Sequence, residues 1–511
     1  MTLSVTIVMV PVEEGEADMT KSTLRGVPAV GRPTEAVLSD IEAFRAEDLA
    51  WREGKAFAYV YDGGAEIEAV QKRAYAAYMS ENGLDPTAFR SLLAMENAVV
   101  GIARGHLGGD EEVAGSFTSG GTESLILAVK TARDMAKSHR PDLRDPEIVM
   151  PVTAHASFHK AGHYLGVKVV TTPVDPVTLR ADVAAMRAAI TPRTVMLVGS
   201  ASGYAHGVVD PIEAIAQLGR EHDLPVHVDA CIGGFLLPYL RRLGVHVPAF
   251  GFEVPGVTSI SMDLHKYAYC AKGASVVLYR NARMRAHQFY ACADWTGYAL
   301  VNATIQSTKS GGPIAAAWAV LNHVGDDGYL RIAKDLLATQ RAIESAVTEI
   351  PGLRLLGRPE MPLLAFGSDE LDVYSICDEL AARGFWVQPQ LAFDGIPPTV
   401  HMTITPSNVP HTAAFIEALR ASADVVRKAG RTRPDAGALA PLAAELSRPE
   451  SFARLPEMLA MAGIGQGGRL PERKAELNAF MDLLPRAVRA RLLVEFSGAI
   501  FAADAPQVTP A

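Results

Sequence analysis

The sequence has few cysteines and no long apolar segment. Four cysteines occur in 511 residues, and no two of them form a Cys-x-x-Cys pair: Cys231, Cys270, Cys292 and Cys377. This scarcity excludes a disulfide-dependent scaffold and a zinc site built from cysteines, and it favours a reducing cytoplasm. The apolar stretch at residues 3–12 is too short to span a bilayer and is followed directly by acidic residues. We expect a disordered leader there and a cytoplasmic protein.

An excess of positive charge is also missing. The 48 Lys and Arg residues oppose 57 Asp and Glu residues, which gives a formal net charge of −9. This mild negative balance argues against nucleic acid or an anionic membrane surface as the main partner. With 49% apolar and 21% charged residues, the composition is that of an ordinary globular protein. We expect a small-molecule partner and no integral membrane segment.

The middle of the sequence alternates short β-rich runs with helical patterns. This alternation, from about residue 116 to 280, predicts a largely parallel α/β sheet covered by helices on both faces. The candidate strands are 147–152, 167–172, 194–199, 225–228, 258–262 and 274–279, and the helices include 122–139, 181–190 and 211–221.

After residue 329 the pattern becomes α+β, with candidate strands at 363–366 and 400–404. We expect four regions: an N-terminal leader and dimerisation segment (1–95), a large domain (96–325), a small α+β domain (326–430), and a linker with a helical extension (431–511).

A glycine-rich turn runs directly into one of the predicted helices. In the segment 118–124, Ser119, Gly120, Gly121 and Thr122 let the backbone approach a ligand closely. A helix that begins here would direct free N–H groups and a positive dipole end at an anion such as phosphate. A plain glycine turn with Thr122 as the helix cap explains this motif alone equally well.

Two further motifs each end an apolar strand. Asp229 follows one strand, at the edge where open α/β sheets bind ligands. Lys266 follows another, and its neighbours His265 and Tyr267 crowd an amine that is suited to form a Schiff base. Taken singly, the aspartate is explained as a helix cap and the lysine as a surface residue.

Together the three motifs indicate pyridoxal 5'-phosphate (PLP) chemistry. A phosphate site, an acidic partner for a pyridinium nitrogen and a Schiff-base lysine are the parts that this cofactor requires. His155, in the loop after a predicted strand, is suited to stack on the cofactor ring. The presence of Lys266, Asp229 and His155 together argues against a PLP fold that has lost turnover.

These motifs resemble the group II PLP-dependent decarboxylase superfamily of fold type I, and most of all its sphingosine-1-phosphate lyase branch. The resemblance covers roughly residues 50–425. It implies a large domain with a mainly parallel seven-stranded sheet covered by helices, and a smaller α+β C-terminal domain. It also implies Lys266, Asp229 and His155 as catalytic residues, and Gly121, Thr122 and His265 as residues that hold the cofactor phosphate.

The resemblance further implies a homodimer with its sites at the interface. Tyr61 and the loop 307–312, with Ser307, Gly311 and Gly312 as cofactor contacts, are then expected to reach the partner's site. Further positions match residues near the polar head of the substrate, where Tyr61 is joined by Asn82 and Lys272.

One departure concerns the substrate. The family's Asn-Pro-Leu-His-Pro stretch appears here with Asp85 in place of the histidine. The carboxylate either lies at the head-group position or merely caps the turn before Pro86. The implied reaction is retro-aldol cleavage of a β-hydroxy amine to an aldehyde and an amine such as phosphoethanolamine. The alternative is α-decarboxylation of an L-amino acid, as in glutamate or aromatic decarboxylases.

Overall fold

The computed structural model describes residues 27–46, 48–430, 444–445, 448 and 473–501. The apolar stretch at 3–12 and the predicted linker that begins at residue 431 lie outside these residues. Among the helices that are described, none is long and apolar enough to cross a membrane.

The large domain is built on a seven-stranded sheet. Its strands are β1 (Ala114–Thr118), β2 (Glu147–Pro151), β3 (Lys168–Thr172), β4 (Thr194–Ser200), β5 (Val226–Asp229), β6 (Val257–Asp263) and β7 (Ser275–Tyr279). They lie in the order β1-β7-β6-β5-β4-β2-β3. Only β7 runs antiparallel to its neighbours, and the other pairs of this sheet are parallel. This confirms the predicted mainly parallel sheet.

Helices cover the sheet because its strands are apolar on both faces. Every residue of β2, β4, β5 and β7 is buried, as expected for a parallel sheet packed between helices. The helices up to this point of the chain are α1 (Thr34–Ala43), α2 (Ala65–Ala77), α3 (Arg90–His106), α4 (Gly121–His139), α5 (Ser157–Leu165), α6 (Val183–Ala189), α7 (Ile212–Glu221), α8 (Leu237–Arg242) and α9 (Ala282–Ala286).

A hairpin and a long helix lead from the large domain to the small one. The hairpin pairs β8 (Tyr290–Cys292) with β9 (Leu300–Asn302). Helix α10 (Gly312–Glu349) follows and has one non-helical residue, Gly325, with φ 64°. Gly325 therefore divides α10 into two arms that meet at a kink.

The small domain contains a four-stranded antiparallel sheet. Its strands β10 (Leu353–Leu355), β11 (Leu363–Ser368), β12 (Gln388–Gln390) and β13 (Thr399–Thr403) lie in the order β10-β11-β13-β12. Helix α11 (Val373–Ala381) packs beside it, and α12 (Thr412–Lys428) packs against α11. This is the expected α+β arrangement.

An early segment of the chain completes the small domain. The backbone N–H of Phe57 donates to the carbonyl of Trp386 at 2.7 Å, and the N–H of Thr403 donates to the carbonyl of Phe57 at 2.6 Å. Ala56 forms a parallel bridge with Trp386. These contacts tie residues 56 and 57 to the small domain, and the predicted dimerisation role of region 1–95 stays a prediction.

The last described segment docks on the same domain. It contains α13 (Ala475–Leu483) and α14 (Arg486–Ile500), in agreement with the predicted helical extension. The Asp378 carboxylate on α11 accepts hydrogen bonds from the backbone N–H groups of Lys474 at 3.0 Å and Ala475 at 2.9 Å. Free N–H groups at a helix start need acceptors, so Asp378 caps α13 from a neighbouring helix.

Candidate active site

A cavity of about 800 Å³ opens at the carboxyl ends of the central strands. The ends of β4, β5 and β6 line it together with the turn before α4, and Thr403 of the small domain also contributes. This is the edge at which open α/β sheets bind ligands. Many of the residues that the sequence assigned to a cofactor line the cavity: Ser119, Gly120, Gly121, Thr122, His155, Asp229, His265 and Lys266.

An ion pair fixes the lysine of the cavity. Asp263 is the last residue of β6, and Lys266 lies in the turn that follows. The Lys266 Nζ is 2.9 Å from the Asp263 Oδ2. Burial alone would lower the pKa of Lys266, but the charge and hydrogen bond of the Asp263 carboxylate, together with Tyr61 and Cys231, outweigh burial and raise that pKa. Burial opposes the charge of Asp263 as well, yet Lys266 and His265 keep the pKa of this carboxyl below its ordinary value.

A second carboxylate ends the neighbouring strand. Asp229 is the last residue of β5, which pairs with β6. Its side chain is 6% exposed, and its Oδ1 accepts a hydrogen bond from the backbone N–H of Cys231 at 3.1 Å. The fold therefore holds the Asp229 carboxylate in the wall of the cavity. This is the position that the predicted partner of a pyridinium nitrogen requires.

The turn before α4 has the shape of an anion cradle. Gly120 has φ 153°, a backbone conformation that side chains disfavour, and no side chain caps the helix that starts at Gly121. A Cβ on Gly121 would lie 2.8 and 2.9 Å from the Asp263 carboxylate oxygens and 2.9 Å from the Cys231 Sγ. Only glycine fits between these groups and the cavity, so the backbone itself borders the cavity at the positive end of α4.

Glu123 takes one of the N–H groups of this turn. Its Oε2 accepts a hydrogen bond from the backbone N–H of Ser119 at 2.6 Å, and its Oε1 accepts one from the N–H of Ile305 at 2.7 Å. The backbone N–H of Ser119 therefore already has an acceptor, while its hydroxyl is left for a ligand. The cofactor role of Ser119 stays a prediction.

His155 is held by Ser157, which also contacts the first turn of α4. The backbone N–H of Ser157 donates to its Nδ1 at 3.2 Å, which places the proton of the neutral ring on Nε2. The Ser157 hydroxyl lies 2.9 Å from this Nδ1 and 2.9 Å from the hydroxyl of Thr122. Burial lowers the pKa of His155. A neutral imidazole therefore borders the cavity and is connected to the anion cradle.

His265 lies between Lys266 and the cradle. Its Nδ1 accepts a hydrogen bond from the backbone N–H of Ala274 at 3.2 Å, and its Nε2 lies 3.6 Å from the Asp263 Oδ2. Burial lowers the pKa of His265 to about 4, so the free ring is neutral near pH 7 with its proton on Nε2.

These residues fit PLP. The glycine cradle at the start of α4 suits a phosphate, the buried Asp229 suits a protonated ring nitrogen, and Lys266 supplies the amine. His155 and His265 add N–H donors at the border of the same cavity. Each group that the cofactor requires is present once the chain has folded.

Five of the other predicted cofactor and substrate residues do not line this cavity: Asn82, Asp85, Ser307, Gly311 and Gly312. The loop 307–312 pairs with the segment that contains Asn82 and does not line the cavity. The Asn82 Oδ1 accepts a hydrogen bond from Lys309 N at 3.3 Å, and Gly311 N donates to the Glu81 carbonyl at 2.8 Å. The predicted cofactor role of Ser307, Gly311 and Gly312 is therefore not met within one chain and stays a prediction for a partner's site.

Asp85 lies in the same segment as Asn82, and its side chain caps the turn in which it lies. Its Oδ1 accepts hydrogen bonds from the Thr87 backbone N–H at 2.8 Å, the Thr87 hydroxyl at 2.6 Å and the Ala88 N–H at 3.4 Å. The hydrogen bonds from Thr87 lower the pKa of Asp85. The structure therefore supports the capping alternative, and a head-group role requires a partner chain.

Tyr61 lines the cavity, and Lys272 lies next to Tyr61. Tyr61 lines the cavity of its own chain, and the expectation that it also reaches the partner's site stays a prediction. The Lys272 Nζ is 5.4 Å from the centre of the Tyr61 ring and donates to the His265 carbonyl at 3.3 Å. Surrounding protein and the charge of Lys266 lower the pKa of Lys272 to about 8.

Sequence reasoning gave no role to several residues of the cavity. Asp263 lies three residues before Lys266, and this spacing is the one sequence signal for the pair. Glu123 and Tyr204 carried no signal, because each acts through a partner that is distant in the sequence.

Comparison with known proteins decides the family. The family model for the pyridoxal-dependent decarboxylase conserved domain matches residues 20–368. The chain belongs to this family. A second family model, for the C-terminal HTH domain of pyridoxal-dependent enzymes, matches residues 434–499. As a member of the pyridoxal-dependent decarboxylase family, the protein is a PLP-dependent carbon–carbon lyase.

Three similar proteins carry the same name. The chain is 38% identical over 432 residues to the sphingosine-1-phosphate lyase of Oryza sativa subsp. japonica, covering 83% of this chain and 78% of the rice protein. It is 39% identical over 386 residues to sphingosine-1-phosphate lyase 1 of Rattus norvegicus, covering 75% and 67%. The solved structure of the Burkholderia pseudomallei K96243 sphingosine-1-phosphate lyase matches with TM-score 0.76 at 35% identity, covering 80% and 94%.

Proposed function

We propose that the protein cleaves the Cα–Cβ bond of a phosphorylated β-hydroxy amine, as the name sphingosine-1-phosphate lyase implies for its relatives. The observation that carries the proposal is the convergence of Lys266, Asp229, His155 and the glycine cradle on one cavity. The products would be an aldehyde and a shorter amine such as phosphoethanolamine, which places the enzyme in sphingolipid metabolism.

The cofactor, when bound, supplies an electron sink for the bond that breaks. Asp229 keeps that sink effective, since a buried carboxylate favours a protonated ring nitrogen. Cleavage also requires a base that takes the β-hydroxyl proton. Lys266 is suited to this task once the substrate amine has replaced its own, because Asp263 stabilises the charged ammonium and raises its pKa.

The head group would be bound near Lys272 and Tyr61. A cation 5.4 Å from an aromatic ring at the cavity edge can pair with a phosphate. Asp85 of a partner chain is a second group that could influence binding of the phosphate head group. If it reaches a partner's head-group site, Asp85→His should raise kcat/KM for a phosphorylated substrate; an unchanged kcat/KM would assign it only to the turn.

Product identification tests the proposal. The purified enzyme with PLP would be incubated with sphingosine 1-phosphate, with sphingosine and with a panel of L-amino acids, and products would be identified by mass spectrometry. We expect a long-chain aldehyde and phosphoethanolamine from the first substrate. Carbon dioxide from an amino acid, without aldehyde from either sphingoid base, would overturn the proposal. It would support α-decarboxylation, the second candidate, which the family name favours.

We also propose that the enzyme is a homodimer in the cytoplasm. Several large apolar side chains on and near the β8–β9 hairpin are more than half exposed: Tyr290, Trp295, Tyr298, Val301 and Ile305. Exposed apolar patches of this kind mark interaction surfaces. Sedimentation should give a dimer that Trp295→Ser weakens, and a monomer at all concentrations would contradict it. Free thiols at all four cysteines suit a reducing compartment, and cell fractionation tests that location.

A further inference from the structure

The sheet of the small domain touches a tyrosine of the cavity from behind. Tyr204, which follows β4, lines the cavity. Its hydroxyl donates a hydrogen bond to the Gln388 Oε1 at 2.6 Å. Gln388 on β12 is the register partner of His401 on β13. The His401 ring lies 4.4 Å from the Tyr204 ring, centre to centre. Two adjacent strands therefore hold one tyrosine of the other domain.

This contact is rigid because its members are buried and paired. Gln388 is 7% exposed and His401 is fully buried. The His401 Nδ1 lies 3.3 Å from the carbonyl of Ala205, which can only accept, so the ring donates from Nδ1. Its Nε2 then accepts from the Thr403 hydroxyl at 3.3 Å. The imidazole is fixed at both nitrogens, and it supports the tyrosine ring against which it packs.

The direction of the tyrosine hydrogen bond gives the hydroxyl a polarity. A tyrosine hydroxyl has one proton and lone pairs on its oxygen. When the hydroxyl donates its hydrogen bond to Gln388, the tyrosine oxygen has only lone pairs left for a ligand in the cavity. Lone pairs accept a hydrogen bond from a hydroxyl group, whereas they repel a carboxylate. Burial raises the pKa of Tyr204 to about 12, so the hydroxyl keeps its proton at neutral pH.

We propose that Gln388 is a specificity-determining residue that acts through Tyr204 and selects substrates with a β-hydroxyl over substrates without one. The proposal rests on the proposed retro-aldol function and names the group that this function must recognise. Gln388 touches neither cofactor nor substrate in this role. It sets the polarity of the tyrosine that does.

A double-mutant cycle tests the proposal. Dissociation constants of the PLP-loaded enzyme would be measured for sphingosine 1-phosphate and its 3-deoxy analogue. Rapid mixing lets binding be followed through the cofactor absorbance before turnover occurs. We expect the wild type to favour the hydroxylated ligand about tenfold, as one hydrogen bond supplies. Gln388→Leu should abolish that preference, Gln388→Glu should keep it because a carboxylate still accepts the proton, and Tyr204→Phe should also abolish it.

The decisive value is that of Tyr204→Phe/Gln388→Leu. If Gln388 acts through Tyr204, the double variant matches Tyr204→Phe, because the two changes remove the same interaction. A preference that survives in Gln388→Leu or in Tyr204→Phe would overturn the proposal, and so would a preference in the double variant that differs from that of Tyr204→Phe. PLP affinity and the unfolding temperature of each variant control for misfolding.

Failure of the parent proposal gives a different pattern. An enzyme that releases no aldehyde from sphingosine 1-phosphate refutes the retro-aldol function whatever Gln388 does. The same comparison then uses L-serine and L-alanine, which differ only in the β-hydroxyl. Equal affinities of the wild type for this pair would overturn the role of Gln388 as well.

Discussion

The Asp263 carboxylate oxygen Oδ2 lies 2.9 Å from the Lys266 Nζ, in the wall of the cavity and directly below the glycine cradle. The carboxylate has two opposite effects on this lysine. It holds the amine in place and makes it a better base, but it also keeps the amine protonated and so slows its reaction with an aldehyde. The two effects can be measured separately, one in the rate of PLP incorporation and the other in the rate of turnover.

We expect Asp263→Asn to speed the incorporation of PLP at neutral pH. Without the carboxylate, burial lowers the pKa of Lys266, and each unit by which it falls raises the neutral fraction about tenfold. The rate of incorporation, followed by stopped-flow absorbance, should reach its plateau at a lower pH. Asp263→Glu, which keeps the charge, is the control. An unchanged pH dependence in Asp263→Asn would contradict the coupling.

Lys266→Ala should abolish turnover and covalent attachment of the cofactor. Borohydride reduction followed by peptide mass spectrometry should find PLP on Lys266 in the wild type and on no residue in the variant. Lys160 also lines the cavity, so Lys160→Ala is a matched control and should keep the attachment. Normal trapping in Lys266→Ala would refute the assignment.

Asp229→Asn should fold normally and lose activity. Removing a buried charge that stabilises the reacting state lowers kcat by about 100- to 1,000-fold in comparable sites. Steady-state kinetics at saturating PLP measure this, and circular dichroism checks the fold. Near wild-type kinetics in Asp229→Ala would exclude a role for this carboxylate.

The pH profile should reveal Lys272 if it binds an anionic head group. The pKa of Lys272 is lowered to about 8, so its positive charge is present below that pH and is lost above it. We expect kcat/KM for sphingosine 1-phosphate to fall above about pH 8, while that for sphingosine does not. Lys272→Arg should remove the fall, since arginine stays charged. The same fall with both substrates would point to another group.

Glu123→Ala should weaken both stability and cofactor binding. It leaves the N–H groups of the exposed residues Ser119 and Ile305 without their acceptor, at a cost of about 0.5–1.5 kcal/mol for each lost hydrogen bond. Thermal unfolding and the Kd of PLP measure the two effects. Glu123→Gln keeps one acceptor oxygen and should lose less. Equal effects of the two variants would argue against the bridge.

The large sheet was predictable because most of its strands are continuous apolar runs that end in polar residues. Strands β2 to β7 begin and end within a residue or two of their predicted limits. Strand β1 was missed because its sequence Ala-Gly-Ser-Phe-Thr is small and polar, although it is buried. The three-residue strands β10 and β12 were missed because so few residues carry no usable period.

The residues of the site also fall into two groups, those that a local pattern predicts and those that it does not. Lys266, Asp229 and His155 follow strands, so their convergence at one sheet edge follows from the topology. Residues whose role depends on a distant partner were not predictable. The Glu123 bridge to Ile305 and the Tyr204 contact with Gln388 each join segments more than 180 residues apart, which no local pattern reveals.

The pairing of Ala56 and Phe57 with Trp386 and Thr403 constrains the order in which the protein forms during translation. The ribosome delivers Phe57 more than 300 residues before its partners. Until then Phe57 has no backbone to pair with. The strands of the large domain all lie earlier in the chain than Trp386, so that domain can fold first. The closing of the small domain is therefore a late, long-range event, and the cavity wall that contains Thr403 is completed last.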